Sequence, residues 1–348
     1  MIGATGRIGT RLRELVETRS REWLKLGIEP RVVFAANSRA CVPDSDGLTT
    51  ESLPERLREG AGWPHFHHIG VDVVIDGTAS AEIAARYPEW LARGIHVVTP
   101  NKIASASDYE FQAALANAKA RGGALLRDST TVGAQLPLAS TLAELRRAGD
   151  RIERLEAVLS GTLSYVLGTV QSGTSLSQAI GEAVSLGYAE PNPACDLSGL
   201  DAARKLVILL RAAGVDIELD DVERVALLDV ADAAWLDAAL AVDETWRARA
   251  AIAQARHETW IYRASYENGR ARIAPERVAF DHPLARLAPC ENAIVLHSAL
   301  YSAAPLTIAG PGAGVALTAA GVFADLLAVA EHGRAPASSH ADAALAIG

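Results

Sequence analysis

Residues 187–205 read GYAEPNPACDLSGLDAARK and bring Glu190, Asp196, Asp201, Arg204 and Lys205 close together. Asp201 and Lys205 stand four apart where a helical pattern begins, so their side chains share one face with Cβ atoms about 5–6 Å apart. Glu190 and Asp196 fall in the preceding loop, which Pro191 and Pro193 keep out of regular structure. A carboxylate beside an ammonium suits a small substrate that carries both an amine and a reacting oxygen. The loop acids would hold the amine, and the lysine would protonate the oxygen. The same spacing on a surface helix makes an ordinary ion pair worth ~0.3–0.5 kcal/mol. Spacing alone leaves both readings open.

The elements that must position these groups follow from the rest of the chain. Its 348 residues suffice for two domains, and 49% hydrophobic with 22% charged residues allows a sizeable core. A net charge of −9 argues against nucleic-acid or anionic-membrane partners, so any phosphate site must be local. No apolar run approaches the ~20 residues of a membrane span, and no secretory leader opens the chain. Cys41, Cys195 and Cys290 suggest neither a disulfide frame nor a zinc site and fit a reducing cytoplasm.

The opening GATGRIG sets Gly3, Thr5, Gly6, Arg7 and Ile8 in the form of a turn that lays a dinucleotide pyrophosphate on a helix N-terminus. Only Met1 and Ile2 precede it, so the first strand of the sheet is expected to be largely missing, or the true start to lie upstream. A second strand over 31–36 ends at Ser38 and Arg39, which suit the 2′-phosphate of NADP better than the free hydroxyl of NAD. Strands at 72–76, 96–98 and 124–126 alternate with helices, which predicts a parallel sheet covered on both faces. Thr78, Lys102, Thr130 and Thr131 lie just past strand ends, where one crevice collects them. Beyond residue 132 the pattern predicts a helix at 133–148, a strand at 152–159, and helices starting at Ser160, Ser175 and Ser198. A helical stretch at 216–257, antiparallel strands from Trp260 onward and a last helix at 318–329 follow. The tail at 331–348 is expected to be disordered.

Several stretches together resemble the homoserine dehydrogenases, most closely the dehydrogenase half of bifunctional aspartokinase–homoserine dehydrogenases. They are GATGRIG, AANSRA, HVVTPNK, TVGAQLP, LSGTLSYVLG, GYAEPNPACDLSGLDAARKLVILLR and GPGAGVALTAAGVFADLL, in family order over nearly the whole chain. The resemblance implies an α/β fold. A Rossmann-like NAD(P)-binding domain at 1–135 would be completed by a C-terminal helix at 311–330, and an α+β catalytic and dimerisation domain would occupy 136–310. It implies a cytoplasmic, homodimeric, stand-alone oxidoreductase that interconverts L-homoserine and L-aspartate 4-semialdehyde with NADP or NAD, on the way to threonine, methionine and isoleucine. By the same resemblance Lys205 is the proton donor and acceptor, Asp201 orients the substrate, and Lys102 is a second lysine beside the reaction. Glu190 and Asp196 hold the substrate ammonium, with Gly161, Thr162 and Tyr188 lining the pocket, while Gly187 and Gly312 approach the cofactor.

Two residues depart from the family pattern. Asn192 replaces an aspartate, which implies weaker substrate affinity. Ser129 replaces an acid, which argues against a monovalent-cation site on the carbonyls of Val132, Ala134 and Leu136. The alternatives are a reductase of another semialdehyde or dihydrodipicolinate type, and a catalytically impaired NADP-binding paralogue with a regulatory role. The first would need a catalytic cysteine or a histidine-rich loop near the end of the sheet, and none of the three cysteines follows a strand with a partnered histidine in the right place.

Overall fold

The computed structural model describes residues 1–58, 70–190, 192–230 and 234–332; Pro191 and the tail beyond 332 lie outside the described residues. Three short apolar strands, β3 (Val73–Ile75), β4 (His96–Val98) and β5 (Leu126–Arg127), pair in parallel in chain order. Ahead of them β1 (Phe34–Ala36) turns back through residues 37–40 and pairs antiparallel with β2 (Cys41–Pro43), a hairpin that the sequence pattern did not reveal. The central strand is not lost. Ile2 bridges in parallel to both Ala36 and Asp76, and Ala4 N–H donates to the Ala36 carbonyl at 3.0 Å. A few residues suffice because each has a partner on either side.

Helices cover both faces of this sheet. On one, Leu12 and Leu15 of helix Arg7–Thr18 pack with Val322, Phe323 and Leu326 of the last helix, and Trp23 meets Phe323 edge-on at 5.4 Å. That last helix runs from Val315 to His332, longer than expected, so Glu331 and His332 belong to it rather than to the tail. It is apolar and long enough to cross a membrane by composition, but its apolar residues are spent on this core. On the other face Tyr87, Trp90 and Leu91 pack with Leu115 and Ala118.

The second sheet has six strands in the order β11-β10-β6-β8-β9-β7. They are β6 (Ile152–Val158), β7 (Val222–Arg224), β8 (Glu258–Glu267), β9 (Arg270–Ala279), β10 (Glu291–Ser298) and β11 (Leu306–Pro311). Every pairing is antiparallel except β7 with β9. The edge strand β7 falls in a stretch that read as helical, and the helix there is confined to Trp235–Ala255. Alternation puts Leu155, Ala157, Tyr262, Ala264, Ile273, Ile294 and Leu296 on one face, against a helical layer. Within that layer helix Leu200–Ala212 is apolar almost all round: Leu206, Val207, Leu209 and Leu210 are fully buried. Burying each leucine contributes ~1.5–3 kcal/mol, so this helix is a fixed part of the core.

The start of that helix differs from the expected serine cap. Gly199 occupies the N-cap with φ +74°, and the Ser198 hydroxyl, one residue further out, accepts from Leu200 N–H at 3.2 Å. A Cβ there would lie 1.9 Å from the Tyr262 hydroxyl oxygen, which itself donates to the Val225 carbonyl at 2.8 Å. Gly199→Ala is therefore expected to cost about 2–4 kcal/mol through left-handed backbone strain and overpacking, read as a lower urea midpoint. Tyr262→Phe in the same chain should recover part of the loss. An unchanged midpoint in Gly199→Ala would show that the turn relaxes freely.

Candidate active site

The helix Arg7–Thr18 begins at Gly6 with no side-chain cap, so its leading amides are open for an anion. Gly9 is required by contact: a Cβ would sit 2.2 Å from the Gly3 carbonyl oxygen. This N-terminus lies at the carboxyl end of the parallel sheet, beside a cleft of about 380 Å³ that also reaches helix Leu200–Ala212. Ile8, Thr78, Lys102, Ala134, Asp201, Lys205 and Gly312 are among the residues that line it, with Asn101, Thr131 and Arg204. An uncapped helix end, a glycine turn and a cationic far wall fit the phosphates and nicotinamide of a dinucleotide.

At the catalytic end one carboxylate serves two lysines. The Lys205 Nζ lies 2.9 Å from Asp201 Oδ2 and donates to the Leu159 carbonyl at 2.8 Å. The Lys102 Nζ approaches the other oxygen, Oδ1, at 3.4 Å. Burial works against the charge on Asp201, yet Lys205 and then Lys102 outweigh it and hold the carboxyl at about 2. Burial, with some help from the charge of Lys205, pushes the Lys102 ammonium below its ordinary value although Asp201 pulls the other way.

A buried acid that sequence reasoning missed supports this cleft. Asp76 is fully buried at the end of β3 and accepts from the Thr78 amide at 2.8 Å and hydroxyl at 2.6 Å, from the Tyr87 hydroxyl at 2.5 Å, and from Asn101 Nδ2 at 3.1 Å. Asn101 in turn caps the short helix Lys102–Ser105 through Ile103 N–H. The only local signal was an aspartate closing an apolar strand.

The remaining predicted residues lie elsewhere. Glu190, Asp196, Tyr188, Gly161, Thr162 and Gly187 do not line the cleft, and contacts join only some of them. The Thr162 hydroxyl donates to the Tyr188 carbonyl, the Tyr188 ring lies 4.9 Å from Tyr165, and Glu190 N–H donates to Asp196 at 3.2 Å. Burial, then the charges of Asp201 and Glu190, raise Asp196 above the usual carboxylate range, which places its negative end near Asp201. Ser38 and Arg39 are exposed in the β1–β2 turn, where Asn37 Oδ1 accepts from the Arg39 and Ala40 amides. Of the carbonyls weighed for a cation, that of Leu136 already accepts from Leu138 N–H at 2.8 Å. Ser129 instead gives its hydroxyl to the buried Asp325 at 2.7 Å. Among the described residues no cluster of three His, Cys, Asp or Glu could hold a metal.

An acid whose folded pKa lies below its unfolded value of about 3.9 contributes stability above that value and loses it as pH falls through the folded one. Wild-type protein should therefore lose stability between pH 4 and about 2, through Asp201 among other acids. Asp201→Asn should flatten that part of the curve in urea melts; an identical curve would mean that the ion pairs do not form.

A homoserine dehydrogenase profile matches residues 137–327, and the profile of homoserine dehydrogenase, NAD binding domain, matches residues 5–127. The bifunctional aspartokinase/homoserine dehydrogenase of Haemophilus influenzae is 36% identical, over 95% of this chain but 42% of its own length. The chain thus spans about two-fifths of that relative. The homoserine dehydrogenase of Emericella nidulans is 35% identical, with 83% of this chain and 85% of that one covered. The crystal structure of a putative homoserine dehydrogenase from Archaeoglobus fulgidus superposes with a TM-score of 0.75 at 27% identity, covering 94% of this chain and 97% of that one. With one profile spanning more than half the chain and a single-function relative covered over most of its length, the chain belongs to the homoserine dehydrogenase family.

Proposed function

We propose that the chain catalyses the NAD(P)-dependent interconversion of L-homoserine and L-aspartate 4-semialdehyde. The observation that carries this reading is the Lys102–Asp201–Lys205 arrangement on the wall of the cleft that Ile8 of the glycine-turn helix also lines. When bound, the reduced nicotinamide supplies a hydride to the aldehyde carbon. The developing alkoxide then needs a donor. Lys205 is the residue we assign, because Asp201 and the Leu159 carbonyl leave its ammonium one remaining hydrogen to direct into the cleft. Lys102 adds a second positive charge beside the same oxygen, in a site where water is partly excluded. In the reverse direction the same Lys205, having given up that proton, takes it back from the substrate hydroxyl, while Lys102 stabilises the developing negative charge. Glu190 and Asp196, joined by the Glu190 N–H to Asp196 bond, supply negative charge for the substrate ammonium.

We assign the cofactor preference to NADP. Arg39 stands exposed past the end of β1, where the adenine ribose sits in folds of this type, and its guanidinium suits a 2′-phosphate. No acidic residue occupies that turn.

Cofactor oxidation followed by absorbance with aspartate semialdehyde tests both assignments. Lys205→Ala should lower turnover by at least ~10²-fold while NADPH still binds; full activity in that variant overturns the mechanism. Arg39→Ala should raise KM for NADPH about tenfold with little change for NADH, and an unchanged NADPH-to-NADH ratio would mean that Arg39 does not read the phosphate.

A further inference from the structure

We infer that Arg211 is a positioning residue, bolting the segment that carries Lys102 to the helix that carries Asp201 and Lys205 and so setting the gap between the two lysines. The inference rests on the roles proposed for those lysines, but the geometry behind it is separate. Lys102 opens a helix of a single turn, Lys102–Ser105, which has no cooperative stability of its own. Its active end is tied by the Lys102–Asp201 pair at 3.4 Å. Its other end is tied by Arg211, whose Nη1 donates to the carbonyls of Ser105 at 3.1 Å and Ser107 at 2.7 Å.

Arg211 is itself held. Its Nε donates to the Ile217 carbonyl at 3.0 Å, and its guanidinium faces the Tyr109 ring at 5.7 Å. The seam continues where Tyr109 N–H donates to Glu218 at 2.7 Å. Asp201 and Arg211 belong to one buried helix and stand ten residues apart, about 15 Å along its axis. The short segment is therefore gripped at two points of a single rigid body. Arg211 does not line the cleft, so it acts on the reaction only through what it holds. A lysine would not substitute, because reaching three carbonyls uses the planar fork of the guanidinium.

The test combines kinetics with hydrogen exchange on the unliganded protein. Arg211→Gln should lower kcat about tenfold while KM for NADPH stays within about twofold, and amides at 102–107 should exchange faster. In a Lys102→Ala background the same substitution should cause no further loss of kcat, because the group it positions is gone. Additive loss in the double variant, or unaltered exchange at 102–107, overturns the inference. Should Arg211→Gln fail to fold, Tyr109→Ala removes an exposed ring from the same seam and should also speed exchange there; unchanged exchange counts against the bolt. If Lys102→Ala and Lys205→Ala both turn over normally, the proposed roles of the lysines fail, while the exchange data still decide whether Arg211 holds the segment.

Discussion

One negative charge shared between two ammonium groups is the constraint on which the site depends. Lys102 and Lys205 repel each other, and neither would remain in a partly dry cleft without Asp201 between them. The carboxylate also cannot be given up, since both cations hold it ionised down to about pH 2. The two lysines come from different bodies of the fold, so the pairing is also a joint between them. Anything that moves one body against the other changes the distance between the cations.

The fold answers this by making one partner immovable. Helix Leu200–Ala212 buries most of its apolar residues, and Asp201, Arg204 and Lys205 near its start face the cleft while Arg211 lies away from it. The other partner sits on a single helical turn and needs support from outside. It receives that support from Asn101, which is fastened to buried Asp76, and from Arg211 on the catalytic helix. Asp76 extends the same fastening to Thr78, on the cleft wall shared with Ile8. Thr78 and Asn101, two walls of the cleft, thus share one buried anchor.

Much of this was legible in the chain because it is local. The i,i+4 spacing of Asp201 and Lys205, the glycine turn ahead of Arg7, and the serine at 175 that accepts from Gln178 N–H each act within a few residues. The parallel strands declared themselves as short apolar runs after polar turns. Other expectations missed for equally physical reasons. Ser198 and Asp201 have the spacing of a capping box, but Ser198 accepts from Leu200 N–H one residue out, Asp201 is claimed by the lysines, and Tyr262 leaves room at the cap position for glycine alone. The first strand looked absent because strand length was counted along the chain, whereas its bonding is supplied from both flanks by residues 36 and 76. The hairpin partner β2 is three residues long and carries a proline, too little pattern to read.

By itself the sequence determined which groups are available for chemistry and which elements carry them, since residue type, helical spacing and turn-forming glycines are properties of neighbouring positions. Only the tertiary structure decided which groups meet. Lys102 reaches Asp201 across almost a hundred residues, Arg211 reaches back to Ser105, and Asp76 gathers Thr78, Tyr87 and Asn101. Each of these contacts is charged or buried, and its value depends on the local dielectric and on competing partners. Those quantities exist once the chain has closed around them.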